Sequence, residues 1–345
     1  MSLGLYTYSA AYPVLGALKA RALREDIVAS MLKAGNAEDC VDFLSKVLGD
    51  EPGSTVPVEV EGWLWGKWER QGKELARFTR GKVPVFLQLF VGKSDVRKLK
   101  LKVRQIRARE GRGSDLPGGR AGVLIRDRKL ADARTLNGVV RALSGTPLEG
   151  ILRKALPALA GDGDLLPFDL TLETNYERVL ATGLKGLGGE GRRARWELLD
   201  GIWGVRDFVK ALRLRFGYGL EPQEVFHYIA FTSEEFGPSH YWEIMEGEEP
   251  EACAKLLPKG RLQAILARMG LAAMSVSELE VGARRYARQM SGVRQLGSPF
   301  ALVTFLKYLV HQEVLIEDAI TVLGAKRLEM AEDEVRPLLS FAPGG

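Results

Sequence analysis

The sequence predicts an all-α protein built from three similar helical modules, and three observations point to it. Apolar residues recur at i, i+3 and i+4 along nearly the whole chain, the spacing of helices with one buried face. Strand signals are scarce. An aromatic-x-Arg tripeptide sits inside a helical pattern three times, at Trp68-Glu69-Arg70, Tyr176-Glu177-Arg178 and Tyr286-Ala287-Arg288, at intervals of 108 and 110 residues. One such tripeptide is uninformative in an arginine-rich chain, whereas equal spacing marks a repeat. Three units of about 110 residues nearly fill the 345-residue chain, which places the modules at 1–115, 116–224 and 225–345.

Between Asp26 and Leu48, Ile27, Val28, Met31 and Leu32, then Val41, Phe43, Leu44, Val47 and Leu48, describe two short helices. Gly35-Asn36 separates them, with Asn36 as the N-cap and Asp39 three residues on. Val56-Pro-Val-Glu-Val60 alternates over five residues around a proline and reads as an extended linker or edge strand. Gly111–Gly122, Ala160–Pro167, Gly183–Gly191 and Phe236-Gly-Pro238 carry the turn chemistry that interrupts helices. A helix ending in basic residues and glycine closes the first two modules, at Val103-Arg104 to Gly111 and Leu212-Arg213 to Gly217; Val322 to Arg327 is the third counterpart. The tail from Phe341 is expected to fray.

Composition removes several function classes. The hydrophobic fraction of 46% and charged fraction of 27% are those of a folded protein, and 49 basic against 44 acidic residues leave a net charge of only +5, which permits acidic partners without requiring them. Cys40 and Cys253 stand too far apart for a CxxC pair, and three histidines leave little material for a metal site. No secretory signal opens the chain and no apolar run approaches the ~18–20 residues of a membrane span, so a cytosolic location is expected. Gly186-Leu-Gly188-Gly189-Glu-Gly191 fits GxGxxG but follows the helical segment 170–181 rather than a strand, so no dinucleotide site is expected. No Walker loop, HExxH or nucleophile elbow occurs. No cofactor, metal or catalytic residue is predicted.

The acidic run Glu243, Glu246, Glu248, Glu249, Glu251 reads as a solvated surface. The strongest charge feature is the helix after Lys93. From Lys93 to Lys129, thirteen basic residues face four acidic ones. Such a block suits a solvated helix face, an acidic protein partner, anionic headgroups, or a basic helical repeat that binds nucleic acid. It interleaves no aromatics for base stacking, which disfavours the last. These residues alone indicate an adapter.

The chain resembles the C subunit of the archaeal and bacterial A/V-type rotary ATPases, the counterpart of the d subunit of the eukaryotic V-ATPase. Tyr6-x-Tyr8 with Leu18-Lys19-x-Arg21-x-Leu23 is similar to the family's opening. Asp95-x-x-Lys98-Leu99 to Val103-Arg104 and Gly111 resembles the end of its first module, Gly204-x-x-Asp207-Phe208 to Leu212-Arg213 and Gly217 the second, and Tyr308, Gln312-Glu313, Asp318 and Lys326 the third. Lys98, Asp207 and Asp318 stand at the family's repeated Asn. The resemblance implies a funnel of three modules around a pseudo-threefold axis, seated on the cytoplasmic end of the proteolipid rotor ring and receiving the D and F subunits of the central stalk. It implies a peripheral, non-catalytic coupler of ATP turnover and proton or sodium transport, with no nucleic-acid partner. Lys98, Arg104, Arg107, Arg213 and Arg215 are the residues expected to face ring or stalk.

Overall fold

The computed structural model of the protein describes residues 8–49, 57–111, 127–159, 164–230, 232–233, 237–255, 263–265, 275–292 and 301–341. Among them every regular element is helical, as the spacing predicts. Helices α1 (Ala11–Ala20), α2 (Glu25–Leu32) and α3 (Ala37–Leu48) come first. The Asn36 side chain accepts a hydrogen bond from the Asp39 amide at 2.8 Å, which satisfies an amide that has no intrahelical acceptor. Gly49 ends α3 at φ 65°, a left-handed conformation that costs glycine least.

The long α4 (Pro57–Arg77), α5 (Val83–Val91) and α6 (Lys93–Gly111) follow. Here the extended reading of 56–60 is corrected. From Pro57 the chain is already the first turn of α4, and Val60 is fully buried. Proline suits a first helical turn because its fixed φ is helical and the missing N–H has no acceptor there. Helix α4 packs tightly on α5: a Cβ placed on Gly72 would lie 2.2 Å from Val91 Cγ1.

Helices α7 (Asp127–Asp132), α8 (Leu136–Ala142) and α9 (Pro147–Ala155) lead to α10 (Leu166–Lys185). The expected break at 111–122 lies outside the described residues except for Gly111, which ends α6; Pro167 belongs to the first turn of α10. The GxGxxG segment is the turn after α10, with Gly188 at φ 61°. Next, α11 (Arg192–Glu197) passes through a π-helical stretch, Leu198–Trp203, into α12 (Gly204–Leu212), and a second π stretch covers Arg213–Gly217. Then come α13 (Pro222–His227), α14 (Pro238–Met245), α15 (Pro250–Lys255), α16 (Val276–Ser291), α17 (Leu302–Arg327) and α18 (Glu332–Val335). Glu243, Glu246, Glu248 and Glu249 are exposed, as expected of a solvated run.

Helix α17 is buried nearly all round, because it packs against α2, α3, α4, α11 and α16; a helix apolar on every face has to be enclosed. Around it a large core draws on residues from Tyr8 to Ile202 and again from Ala287 to Phe341. A smaller core joins Val205–Leu214 to Tyr241, Ile244, Leu279 and Ala283. Phe341 is correspondingly part of the core at 4% exposure, which corrects the expectation that the chain frays from that residue: a phenylalanine that buries its ring gains more than its ordering costs. Residues 342–345 lie outside the described residues.

Candidate functional site

The tripeptide aromatics are anchors. Trp68 on α4 is fully buried and donates its indole N–H to the Leu309 carbonyl of α17 at 2.8 Å. Tyr176 on α10 is buried and donates its hydroxyl to the Leu89 carbonyl of α5. Tyr286 on α16 packs against both cores. Trp68 and Tyr176 thus reach outside their own ~110-residue stretches, where a rigid ring gives much contact area for little lost entropy.

The acid inside two of the tripeptides has the same task. Lys98 on α6 donates to Glu69 at 3.0 Å, and Lys210 on α12 donates to Glu177 at 3.3 Å. Both lysines follow an aspartate by three positions, and Asp95 and Asp207 are both buried. In these contacts Lys98 and Lys210 play the same part. The aspartates form their own pair of matched clamps. Asp207 accepts from the Thr232 amide and hydroxyl, both at 2.9 Å; Asp318 accepts from the Ser340 amide at 3.0 Å and from the Ser340 hydroxyl. Burial, with Glu177 nearby, pushes the Asp207 carboxyl up, and burial pushes that of Asp318 up to about 6 against those hydrogen bonds. The partners of these acids were missed in the sequence although Glu69 and Glu177 stand inside the repeat and Asp-x-x-Lys recurs beside it.

A second set of contacts runs between the stretches. Arg104 on α6 pairs with Asp169 on α10, and Arg213 pairs with Glu280 on α16 at 2.7 Å. The two arginines lie 109 residues apart and their acids 111 apart, so the same bridge is built twice. Lys100 pairs with Glu173, and Arg97 lies within ion-pair distance of Glu61 and Glu317 while stacking 3.8 Å over the Trp65 ring. Arg288 on α16 reaches Glu25 on α2, and Lys307 on α17 forms a buried pair with Glu197 on α11.

The centre of this network is Glu313 on α17, 2% exposed. It accepts from Lys93 of α6 at 2.6 Å and from Arg206 of α12 at 3.0 Å, so one carboxylate ties together helices from all three thirds of the chain. Burial works against its charge, but Arg206 and Lys93 hold the carboxyl well below the ordinary carboxylate range. A buried carboxylate satisfied this way is costly to break and fixes orientation, because its partners must stay within hydrogen-bond distance.

The five residues expected to face partners are placed as follows. Lys98, Arg104 and Arg213 make the ion pairs above; Arg107 donates to the Leu159 carbonyl at 3.3 Å; Arg215 donates to the Leu220 carbonyl at 3.1 Å and lies 3.8 Å from Glu221. They do not converge on one point. Arg104 and Arg107 share an open cleft of about 770 Å³ between α6 and the start of α10, together with Ala108, Asp164, Leu166 and Asp169. Among the described side chains the charged helix is therefore not a bare basic surface: Lys93, Arg97, Lys98, Lys100 and Arg104 meet acids from α4, α10 and α17, and Lys102 and Arg107 donate to backbone carbonyls. Among the described residues no three His, Cys, Asp or Glu are grouped to hold a metal ion. Cys40 and Cys253 are buried free thiols pushed up to about 11 by burial, away from nucleophilic reactivity. No helix among the described residues is long and apolar enough to cross a membrane. What the arrangement does is hold helices in register.

No curated protein matches the chain. The sequence profile described as the ATP synthase (C/AC39) subunit matches residues 13–338. An all-α chain matched over nearly its whole length in this way belongs to the ATP synthase (C/AC39) subunit family.

Proposed function

We propose that this protein is the non-catalytic coupling subunit of a rotary V/A-type ATPase, standing on the cytoplasmic side of the membrane between the D and F subunits of the central stalk and the proteolipid rotor ring. It transmits torque between ATP turnover and ion transport. The modules 1–115, 116–224 and 225–345 close around a pseudo-threefold axis as a funnel; the bridge built twice, Arg104 to Asp169 and Arg213 to Glu280, supports this arrangement. The observation that carries the function is the family match over residues 13–338. Glu313 adds the physical reason: a torque-bearing adapter needs stiffness between its parts, and this carboxylate joins all three. Lys98, Arg104, Arg107, Arg213 and Arg215 are the proposed contact set, with Arg104, half-exposed beside the cleft, the most accessible of those in ion pairs.

Affinity purification of the tagged chain from gently detergent-solubilised host membranes tests this. Recovery with a small proteolipid, stalk subunits and ATPase activity is expected. Recovery alone, or with RNA, overturns it. Reversing the charge of Arg104 and Arg107 together tests the contact set: assembly is expected to weaken, and unchanged assembly and coupling would leave that face merely solvated.

A further inference from the structure

The turn joining α4 to α5 and the turn joining α10 to α11 lie side by side. Gly183, in the last turn of α10, sits against Phe86 and Leu89 of α5, close enough that an added Cβ would be 3.3 Å from the Phe86 ring. Gly191 folds the second turn back onto Leu184, where an added Cβ would be 2.7 Å from the Leu184 carbonyl oxygen. The N-terminal part of α17 packs beside them through the Lys307–Glu197 pair. This end of the helix assembly carries three exposed large apolar side chains, Phe78 at 43%, Val85 at 69% and Trp196 at 58%. Among them Arg77, Arg80, Lys82, Lys185 and Arg192 are exposed as well. Of the acids near it in the chain, Glu197 is buried and already shared by Arg193 and Lys307, Glu74 stands exposed one turn behind Phe78, and Glu190 belongs to the second turn itself, so the cations outnumber the acids there.

The chain as a whole is nearly neutral, so this is a local concentration of positive charge rather than a property of the composition. Cations on flexible stems surrounding an exposed indole, a phenyl ring and a branched aliphatic match one surface chemistry in particular. Lysine and arginine pair with lipid phosphates while tryptophan and phenylalanine settle at headgroup level. We infer that this end of the molecule docks on anionic phospholipid headgroups, so that the protein touches the bilayer surface directly. The inference concerns a lipid contact additional to the ring and stalk contacts proposed above.

Co-sedimentation of the purified chain with vesicles tests it. Vesicles of phosphatidylcholine alone are compared with vesicles that also contain phosphatidylglycerol, at low and high salt. Binding to the anionic vesicles only, weakened by salt, is expected. Together Lys82→Glu, Lys185→Glu and Arg192→Glu are expected to weaken it about a hundredfold, since each basic residue near such a surface contributes about 1 kcal/mol. The same three-charge change at exposed positions elsewhere, Lys33→Glu, Lys154→Glu and Arg327→Glu, serves as control and is expected to retain most binding. Brominated lipid is expected to quench fluorescence of the wild type and to quench less in Trp196→Phe, a readout that does not depend on charge. Equal binding to both vesicle types, or equal loss in the control, overturns the inference. No vesicle binding, with loss of a proteolipid ring from the first triple variant in detergent, would make this a protein-docking face; that result overturns the lipid inference and leaves the coupling function standing.

Discussion

Asp318 and Glu313 are two buried carboxylates on one helix with opposite relations to pH. Burial raises the Asp318 carboxyl to about 6 from an ordinary 3.8, so the folded chain holds this proton more tightly than the unfolded chain. The stability it contributes is complete below about pH 4 and is lost as pH rises through about 6. Asp318→Asn keeps an acceptor for the Ser340 amide and removes the titration. Urea unfolding of both proteins at pH 4 and pH 7 is expected to show the wild type losing about 2–3 kcal/mol relative to the variant over that interval. Glu313 has the reverse sign: its carboxyl is held low, so its contribution is present above pH 4.5 and is lost only as pH falls through about 2. Glu313→Gln leaves Lys93 and Arg206 facing a neutral amide and is expected to cost about 3 kcal/mol at pH 7 by the same unfolding measurement. At this scale the sequence was informative wherever the partner is near: Asn36 and Asp39 were legible as a cap. Neither Asp318 nor Glu313 announces its environment, because the groups that set it come from other helices.

At the scale of elements, boundaries were legible where turn chemistry is strong and misread where a short pattern competed with it. The alternation at 56–60 reads as an extended linker or edge strand, but Pro57 starts α4, and only the 21-residue helix behind it decides between the two. The close approach of α4 and α5 yields a sharp expectation. Gly72→Ala pushes a methyl into Val91, and overpacking of this kind costs about 1–3 kcal/mol. Thermal unfolding is expected to show the loss, and the double variant with Val91→Ala to recover part of it; no recovery would mean that the backbone, not Val91, meets the new methyl. The basic character of α6 was plain in the sequence, but whether its cations meet solvent or acids was not. Periodicity places Lys98, Lys100 and Arg104 on the helix without saying which helix lies opposite.

For the whole molecule, the expected consequence of the Glu313 junction is mechanical. On the coupling role proposed above, a reconstituted complex carrying Glu313→Gln is expected to keep hydrolysing ATP while ion pumping per ATP falls, because that role places ATP turnover on other subunits and the variant loosens the joint between the three parts of this one. Unchanged pumping per ATP would show that rigidity rests elsewhere, with the apolar core. The sequence by itself determined the all-α class and the helix caps, since helix periodicity and capping are written within a few turns of chain, and it shows the ~110-residue intervals because a repeated tripeptide can be counted without knowing the fold. Tertiary structure alone decided how charge is used. Glu313 finds Lys93 and Arg206 across 220 and 107 residues of sequence, and Trp68 finds Leu309 across 241. Such pairings depend on which helix faces lie against each other, so Lys93, Arg97, Lys98, Lys100 and Arg104, which in the sequence are simply part of a basic block, become in the fold a set of bridges between helices.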